Sequence, residues 1–258
     1  MRTIRLRGGL GNQLFGLAFA HSVGTLTGEP VRIDLSAYDR DRYHRAFQTR
    51  DLAVDLGVPI GSGRSLRAAL RGWLFAGQVV ERHPPHDLAD LARRGRHFDG
   101  YWQNEVYIAD PQTVRERTRA FLVAKGGVAT VHDIVIHHRS YAEELSPTRR
   151  GSASTDYLRR AITLIEGRHG HTGDIVLVSD NPSRAGEWLG DLESRVTILD
   201  RGGAFSDMAL LLRARSLILA NSSFSWWAGY CGDVTTITYP ERGDAFHYPE
   251  PTRRFTVV

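Results

Sequence analysis

The feature that most constrains the fold is an alternation of strand-like and helix-like segments through the second half of the chain. Short, β-branched apolar runs predict strands over residues 133–138, 174–179, 195–199, 217–220 and 235–239. Apolar residues at three- and four-residue spacing predict helices over residues 155–168, 183–189, 205–213 and 222–231. This alternation predicts an α/β fold: a parallel sheet wrapped by helices, with ligands bound at the carboxyl ends of the strands.

The first half of the chain has a less regular pattern. It predicts strands over residues 3–7 and 31–35, a helix beginning at Asn12, and mostly helical fragments over residues 64–96. The aromatic-rich segment 98–107, FDGYWQNEVY, is expected on the surface of a cleft. Length and pattern together predict two Rossmann-like lobes.

We place the boundary between the lobes at a plausible linker, Lys125-Gly126-Gly127. The N-terminal lobe then covers residues 1–125 and the C-terminal lobe residues 126–258.

Composition narrows the class of protein. The net charge of the chain is only +4, and its basic clusters are short. A nucleic-acid binder more often shows a concentrated basic stripe with interleaved aromatic residues, so no nucleic-acid partner is predicted. We see neither a membrane-spanning run nor the apolar core of a signal peptide, which favours a cytoplasmic location. The single cysteine, Cys231, excludes an internal disulfide, and a core thiol is expected there rather than a nucleophile.

A glycine turn at residues 8–13, GGLGNQ, joins the first strand to the first helix. Its three glycines allow the backbone to approach a ligand closely, and Asn12 opens the helix. The turn lacks both GxGxxG spacing and a Walker lysine, so a plain tight turn is the competing interpretation.

The segment 217–230, LILANSSFSWWAGY, predicts a buried strand followed by a helix start that carries Ser222, Ser223 and Ser225. Unpaired N–H groups, the positive end of the helix dipole and hydroxyl donors together favour a phosphate or another anion. The alternative is an ordinary N-cap with Trp226 and Trp227 packed in the core.

Polar groups also follow the strand at 133–138. Arg139 offers a planar fork suited to a diphosphate, and His137 or His138 could hydrogen-bond the diphosphate or a base. Adjacent residues of a strand point to opposite faces, which argues against both histidines coordinating one metal ion.

Two carboxylates, Asp207 and Asp180, are further candidate residues. Asp207 could accept two hydrogen bonds from the N1 and N2 edge of guanine, or could simply be a charge at a helix N-terminus. Asp180, within Ser179-Asp180-Asn181-Pro182, could orient a ribose, a sugar hydroxyl or another loop, although this sequence is also a good turn and helix start.

In order along the chain, GGLGNQLF at 8–15, GYWQNEVY at 100–107, the strand ending at Arg139, LVSDNP at 177–182 and SDMALLLRARSLILANSSFSWWAG at 206–229 resemble glycosyltransferase family 11. These are the α-1,2-fucosyltransferases, within the superfamily that uses GDP-fucose. The resemblance implies a GT-B-like fold with two facing Rossmann-like lobes and parallel sheets. It also implies that the C-terminal lobe holds most of a GDP-sugar.

Carried over residue by residue, the resemblance implies that Gly9, Gly11 and Asn12, with Gln13 of the same turn, line the donor phosphates or sugar. Arg139 would pair with the diphosphate and Asp207 would read guanine. The serines at 222, 223 and 225 would donate to phosphate oxygens, and the tryptophans would pack beneath their helix.

The sequence departs from the family at one motif. The family carries His-x-Arg-Arg-Gly-Asp-Tyr after this strand, whereas here Arg139 is followed directly by Ser140-Tyr141. The missing groups leave the catalytic base open, with Glu143 or Glu144 as candidates.

Three functions follow from these features. The leading hypothesis is an inverting transfer of an L-fucose- or L-galactose-type sugar from a GDP-sugar to the hydroxyl of a small-molecule or glycan acceptor. The second is a GDP-L-sugar mutase that converts a pyranose to a furanose, for which dependence on Mn²⁺ or Mg²⁺ is plausible although the sequence names no metal ligands. The third is an inert GDP-sugar-binding module.

Overall fold

The computed structural model describes residues 1–41, 44–61, 77–81, 87–139, 154–169, 173–200, 202–241 and 249–258, apart from the side chains of Arg40 and Arg184. The chain divides into two compact units, Met1–Phe121 and Leu122–Val258. Each unit contains a parallel sheet with helices, so the predicted α/β class is confirmed.

The N-terminal unit has a four-stranded sheet in the order β2-β1-β4-β3. Its strands are β1 (Arg2–Arg5), β2 (Val31–Asp34), β3 (Gln78–Val80) and β4 (His97–Asp99), and each neighbouring pair runs parallel. Its helices are α1 (Leu10–Thr27), α2 (Arg50–Asp55) and α3 (Leu88–Arg94), with 3-10 turns at Ser36–Arg40 and Glu105–Tyr107. Strand β3 lies within the region predicted as helical fragments, and that prediction is wrong for these three residues.

An aromatic cluster fills the core of this unit. Phe19 of α1 stacks on Trp102 at 4.1 Å between ring centroids and meets Phe98 and Tyr107 edge-on. These side chains are buried, so the prediction that segment 98–107 lies on a surface is wrong for Phe98, Trp102 and Tyr107. The aromatic residues of the segment supply apolar area that a four-stranded sheet needs for its core.

Helix α4 (Pro111–Gly126) begins in the N-terminal unit and ends in the C-terminal one. The segment predicted as a linker is therefore the last turn of this helix and the residue after it. Gly127 has φ +73°, the left-handed conformation with which a helix commonly ends.

The C-terminal unit has a six-stranded parallel sheet in the order β10-β9-β8-β5-β6-β7. Its strands are β5 (Ile134–His138), β6 (Ile175–Ser179), β7 (Thr197–Leu199), β8 (Ser216–Ile218), β9 (Thr236–Tyr239) and β10 (Thr256–Val257). Its helices are α5 (Thr155–His169), α6 (Pro182–Leu189), α7 (Ala204–Arg213) and α8 (Ser223–Cys231), with a 3-10 turn at Gly190–Arg195. The predicted strands and helices of this half are confirmed within two residues at every end.

The strand β10 was not predicted, because two residues near the chain end give no periodic signal. Counted from β5, the sheet follows the doubly wound order 3-2-1-4-5-6. Such an order leaves a crevice at the carboxyl ends of the first and fourth strands, here β5 and β8.

Both faces of this sheet are covered. Ile134 and Ile136 pack with Tyr157 and Leu158 of α5 on one face. Trp226 and Trp227 of α8 are completely buried, as is Cys231, which agrees with the packing role predicted for these side chains. Within the described residues, no helix has both the length and the apolar character required to cross a bilayer.

Candidate functional site

The crevice between β5 and β8 is where the chain reverses its direction of winding. Strands β5, β6 and β7 follow one another toward one edge of the sheet, and the chain then returns to place β8 on the other side of β5. Ile136 pairs with Ile218 in the parallel register, so the segments that leave these two strands emerge side by side. Segments leaving at such a point diverge to opposite faces and open a ligand-binding crevice.

The two histidines that end β5 point to opposite faces of the sheet, as their spacing predicts. His138 lies 4.3 Å from the Trp188 ring of α6, and His137 lies 5.2 Å from the Phe224 ring of α8. They therefore flank the edge of the sheet from both sides. In the part of the chain that the structure describes, no group of three or more His, Cys, Asp or Glu side chains is placed to hold a metal ion.

Both imidazoles are uncharged at neutral pH. Burial lowers the pKa of His137 to about 3, and the positive charges of Arg139 and His138 act in the same direction. Burial also lowers the pKa of His138 to about 4; Asp180 opposes this shift and Arg139 adds to it. Each ring is thus suited to hydrogen bonding rather than to charge pairing, and His137 is too weak a base to remove a hydroxyl proton at neutral pH.

Arg139 follows β5 directly and is held by the end of the neighbouring strand. Its guanidinium nitrogen Nη1 lies 2.6 Å from Oδ2 of Asp180, which follows β6, and both side chains are about a quarter exposed. The sequence leaves several roles open for Asp180, and in the structure this residue contacts another loop through Arg139. A carboxylate that binds one edge of a guanidinium restricts the direction in which the other edge faces.

Ser179 links the same two strand ends. Its hydroxyl oxygen lies 2.9 Å from Nδ1 of His138 and accepts a hydrogen bond from the backbone N–H of Asn181 at 3.0 Å. Strands β5 and β6 pair at this very position, His138 opposite Ser179. Two motifs that stand far apart in the sequence therefore form one continuous polar edge.

The serine cluster begins helix α8 as predicted, but its three hydroxyls have different surroundings. Ser222 is the N-cap, and its hydroxyl accepts a hydrogen bond from Phe224 N at 3.2 Å. Ser223 is half-buried at the helix start. Ser225 is fully buried, and its hydroxyl lies 3.0 Å from the carbonyl oxygen of Ala220 and 3.3 Å from that of Ser222.

The hydroxyl of Ser225 therefore anchors the helix start to the end of β8. This corrects the expectation that Ser225 donates to phosphate, because its hydrogen already points at a protein carbonyl away from solvent. Ser222 and Ser223 lie at the start of α8, and their contact with phosphate stays a prediction.

Asp207 lies in the first turn of α7, and its side chain is half-buried. The turn is preceded by Gly203 with φ +128°, a backbone angle that side chains rarely tolerate. Helices α7 and α8 pack against each other. Asp207 is thus carried by the helix next to the serine-capped one.

The glycine turn of the N-terminal unit has an open approach. Gly8 has φ +87°, and a Cβ atom there would collide with the side chain of Asn12. Gly9 is the residue before α1, and no heavy atom of the described residues beyond its chain neighbours lies within 4 Å of the place that its Cβ would occupy. The backbone at Gly9 is therefore uncovered by the described residues, and the contact of this turn with a donor stays a prediction.

Gln13 is occupied with the protein itself. Its side-chain nitrogen donates to the carbonyl oxygens of Gly8 at 3.2 Å and Ala46 at 2.8 Å. Its side-chain oxygen accepts from Gln48 N at 2.9 Å. The side chain is fully buried, so it ties the segment before α2 to the glycine turn, which corrects the expectation that it lines a donor.

Sequence reasoning missed a polar cluster beside this turn. Gln103 Nε2 donates to Asn12 Oδ1 at 2.6 Å, and Glu81 accepts from the backbone N–H groups of Tyr101 and Gln103 at 2.6 and 3.1 Å. The left-handed backbone of Trp102, φ +57°, buries its ring while its two neighbours make these contacts. Alternation of aromatic and polar residues in segment 98–107 was the available signal.

The two candidate bases, Glu143 and Glu144, lie outside the described residues, as does Ser140, where the family motif breaks off.

Comparison with known proteins gives the following matches. Residues 133–248 match the model of glycosyl transferase family 11. An "Alpha-1,2-colitosyltransferase" of Escherichia coli is 22% identical over 249 residues, which are 88% of this chain and 86% of that protein.

Among solved structures, fucosyltransferase NodZ from Bradyrhizobium matches with a TM-score of 0.49 and 17% identity, over 92% of this chain and 94% of that one. E. coli ADP-heptose lps heptosyltransferase II matches with a TM-score of 0.48 and 12% identity, over 100% and 90% of the two chains.

The family match covers the segment that contains Arg139, Asp180, Asp207 and the serine-capped helix. It agrees with the resemblance that the separate motifs indicate, and the relative is named as a transferase of the same linkage class. The chain is a glycosyltransferase, and its residues 133–248 are similar to glycosyl transferase family 11.

Proposed function

We propose that this enzyme transfers an L-fucose-type sugar from a GDP-sugar to an acceptor hydroxyl with inversion at the anomeric carbon. The observation that carries the proposal is the composition of the crevice between β5 and β8. One strand end presents Arg139, and the other leads into the serine-capped start of α8. A guanidinium beside a helix N-terminus is suited to a diphosphate.

In the proposed reaction, an acceptor oxygen attacks the anomeric carbon from the face opposite GDP. A new carbon–oxygen bond forms while the bond to the β-phosphate oxygen breaks, and GDP leaves with the electron pair. The acceptor proton passes to a base, for which Glu143 and Glu144 are the candidates. Arg139 and the N–H groups that begin α8 stabilise the negative charge that develops on the departing diphosphate.

The remaining contacts of the donor are proposed as follows. Asp207 accepts hydrogen bonds from N1 and N2 of guanine, while Ser222, Ser223 and His138 contact the phosphates. In the N-terminal unit, the backbone of Gly9 and Gly11 and the amide of Asn12 contact the donor as well. Gln13 and Ser225 are omitted because their side chains already form hydrogen bonds with backbone groups of the protein.

The donor sugar is the first point to test. Purified protein is incubated with GDP-fucose, GDP-L-galactose, GDP-mannose and a GDP-colitosyl donor, with and without Mn²⁺ or Mg²⁺ and without an acceptor, and the products are separated by chromatography. Slow hydrolysis that releases GDP from a fucose-type donor supports the transferase. A new GDP-sugar isomer would instead establish the mutase, and binding without any turnover would count against the proposal.

The guanine assignment can be tested with nucleotides that differ by single groups. We expect wild-type protein to bind GDP more tightly than IDP, which lacks the N2 amino group. Asp207→Ala should weaken GDP binding about 10- to 100-fold, since hydrogen bonds to a charged group contribute about 1.5–3 kcal/mol. It should also abolish the preference for GDP over IDP. Asp191→Ala, which removes an exposed carboxylate paired with Arg159 in the same unit, is the matched control.

The role of Arg139 can be tested by charge and by shape. Arg139→Ala should lower kcat about 100- to 1000-fold, the range measured when one stabilising donor is removed from a transition state. Arg139→Lys keeps the charge but loses the planar fork, so it should recover only part of the activity. Full activity in Arg139→Ala would refute the diphosphate contact.

A further inference from the structure

Ser179 is attached to the proposed site through His138, and its own hydrogen bonds fix how that histidine can act. Its hydroxyl oxygen already accepts a hydrogen bond from Asn181 N. Within the described residues, the hydroxyl has one further neighbour in hydrogen-bonding range, Nδ1 of His138 at 2.9 Å. A hydroxyl carries one hydrogen, so the arrangement is fully satisfied when Ser179 donates to Nδ1.

An imidazole that accepts at Nδ1 carries its hydrogen on Nε2. The ring is held in place on three sides: by its position at the end of β5, by Ser179 on the paired strand, and by the indole of Trp188 at 4.3 Å. Its Nε2 has no hydrogen-bond partner among the described residues. The ring belongs to the residue immediately before Arg139, at the carboxyl edge of the sheet.

We propose that Ser179 is a positioning residue, which locks His138 as a neutral Nε2–H donor aimed at a phosphate oxygen of the bound nucleotide. The inference rests on the proposed function for the identity of the nucleotide. In this hydrogen bond the His138 ring is the donor, and it contributes no charge. The lock consists of the chain from Asn181 N–H through the Ser179 hydroxyl to Nδ1.

The tautomer is tested on the protein without ligand. Protein labelled with ¹⁵N in its histidines is examined by two-dimensional NMR, which distinguishes an Nε2–H ring from an Nδ1–H ring. We expect His138 to be Nε2–H in wild type and in Ser179→Thr, which keeps the hydroxyl. In Ser179→Ala we expect an Nδ1–H population to appear.

The control is Ser183→Ala, which removes another hydroxyl from the same turn. That hydroxyl donates to the side chain of Asn181 at 2.8 Å and does not contact the imidazole. Ser183→Ala should therefore leave the NMR signals of His138 unchanged. An Nδ1–H ring in wild type, or the same tautomer in Ser179→Ala as in wild type, would overturn the lock.

The phosphate contact is tested by calorimetry with GDP and guanosine. His138→Gln places an amide N–H near the position of Nε2, whereas His138→Asn places one near Nδ1. We expect His138→Asn to weaken GDP binding about 10- to 100-fold, the worth of a hydrogen bond to a charged acceptor, and His138→Gln to recover most of that loss. Ser179→Ala should weaken it about threefold to tenfold.

Guanosine separates the possible outcomes. His138→Asn should leave guanosine binding unchanged, and an equal loss for guanosine and GDP would refute the phosphate as the acceptor. If wild-type protein fails to bind GDP at all, the proposed function fails, while the NMR result still decides whether Ser179 sets the tautomer.

Discussion

The two buried histidines at the end of β5 should make this protein lose stability when the pH falls below about 6.5. An unfolded chain exposes both imidazoles, whose ordinary pKa is 6.5, while the folded chain lowers the pKa of His137 to about 3 and that of His138 to about 4. Below pH 6.5 the two imidazoles therefore bind protons in the unfolded state but stay uncharged in the folded state. Stability must fall as the pH falls, until the folded-state pKa values are reached.

The size of the effect follows from the two pKa values. Between pH 7 and pH 5, each histidine should lower the free energy of unfolding by about 2 kcal/mol, so the pair contributes about 4 kcal/mol. Domains are typically stable by only about 5–15 kcal/mol, so this is a large share. The acidic groups with a lowered pKa, such as Asp174 and Asp191, have ordinary values near 3.8 and act below this window.

The assay is urea unfolding followed by tryptophan fluorescence and circular dichroism at several pH values from 7 to 5. His138→Gln removes one titrating ring. Between pH 7 and pH 5, the free energy of unfolding should therefore fall by about 2 kcal/mol more in wild type than in this variant. Ile136→Val, in the same strand, is the control: it should cost about 0.5–1.5 kcal/mol at every pH. If the difference in the free energy of unfolding between wild type and His138→Gln is the same at every pH, the burial argument is refuted.

Four further predictions test individual contacts. Trp227→Ala should cost about 3–5 kcal/mol in urea unfolding, because the completely buried indole leaves a cavity; a loss below about 1 kcal/mol would contradict its packing role. Gln13→Leu should cost about 1–3 kcal/mol and expose the Gln48 amide to hydrogen exchange, since the backbone groups of Gly8, Ala46 and Gln48 lose their hydrogen bonds to the Gln13 amide. Gly8→Ala should cost about 1–3 kcal/mol through its left-handed backbone and the collision with Asn12, and an unchanged melting temperature would speak against that geometry. Asp180→Asn should lower kcat about tenfold while changing the dissociation constant of GDP less, because the Arg139 fork loses its orienting carboxylate; equal effects on both constants would argue against orientation.

The fold of the C-terminal unit could be predicted because its pattern is local. Each strand is a short apolar run bounded by turn residues, and each helix carries its own apolar periodicity, so residues 133–239 gave the correct order of elements. Strand β10 and strand β3 could not be found in this way. Two or three residues show no period, and only pairing with β9 and β4 makes them strands.

The candidate residues at the strand ends could be named from the sequence, but their partners could not. The sequence shows Arg139 and Asp180 as polar residues after two strands, and the ion pair between them depends on β5 and β6 being neighbours. Similarly, Gln13 and Ser225 lie within the right motifs, yet their side chains are consumed by carbonyl oxygens of distant or preceding segments. A motif identifies residue types, whereas the division between ligand contact and structural support is decided by the fold.

The aromatic segment 98–107 illustrates the same limit from the other direction. Its apolar rings and its polar groups alternate, which is compatible with a surface cleft and with a strand end that turns into the core. The left-handed backbone at Trp102 selects the second, because it sends one ring inward while the adjacent N–H groups bind Glu81.

The departure from the family motif acquires a physical meaning once these contacts are considered together. The family follows its first arginine with a second arginine and an aspartate, whereas this chain has Ser140 and Tyr141 at the next positions. Asp180 pairs with Arg139 from the neighbouring strand, and Ser179 fixes His138 in the proposed tautomer. In the proposed function, support for the diphosphate contact thus comes from across the sheet rather than from the next residues of the same loop. If this is so, grafting the family's Arg-Gly-Asp sequence after Arg139 should not restore activity to Asp180→Asn, and measuring kcat of the variant that carries both changes would decide the point.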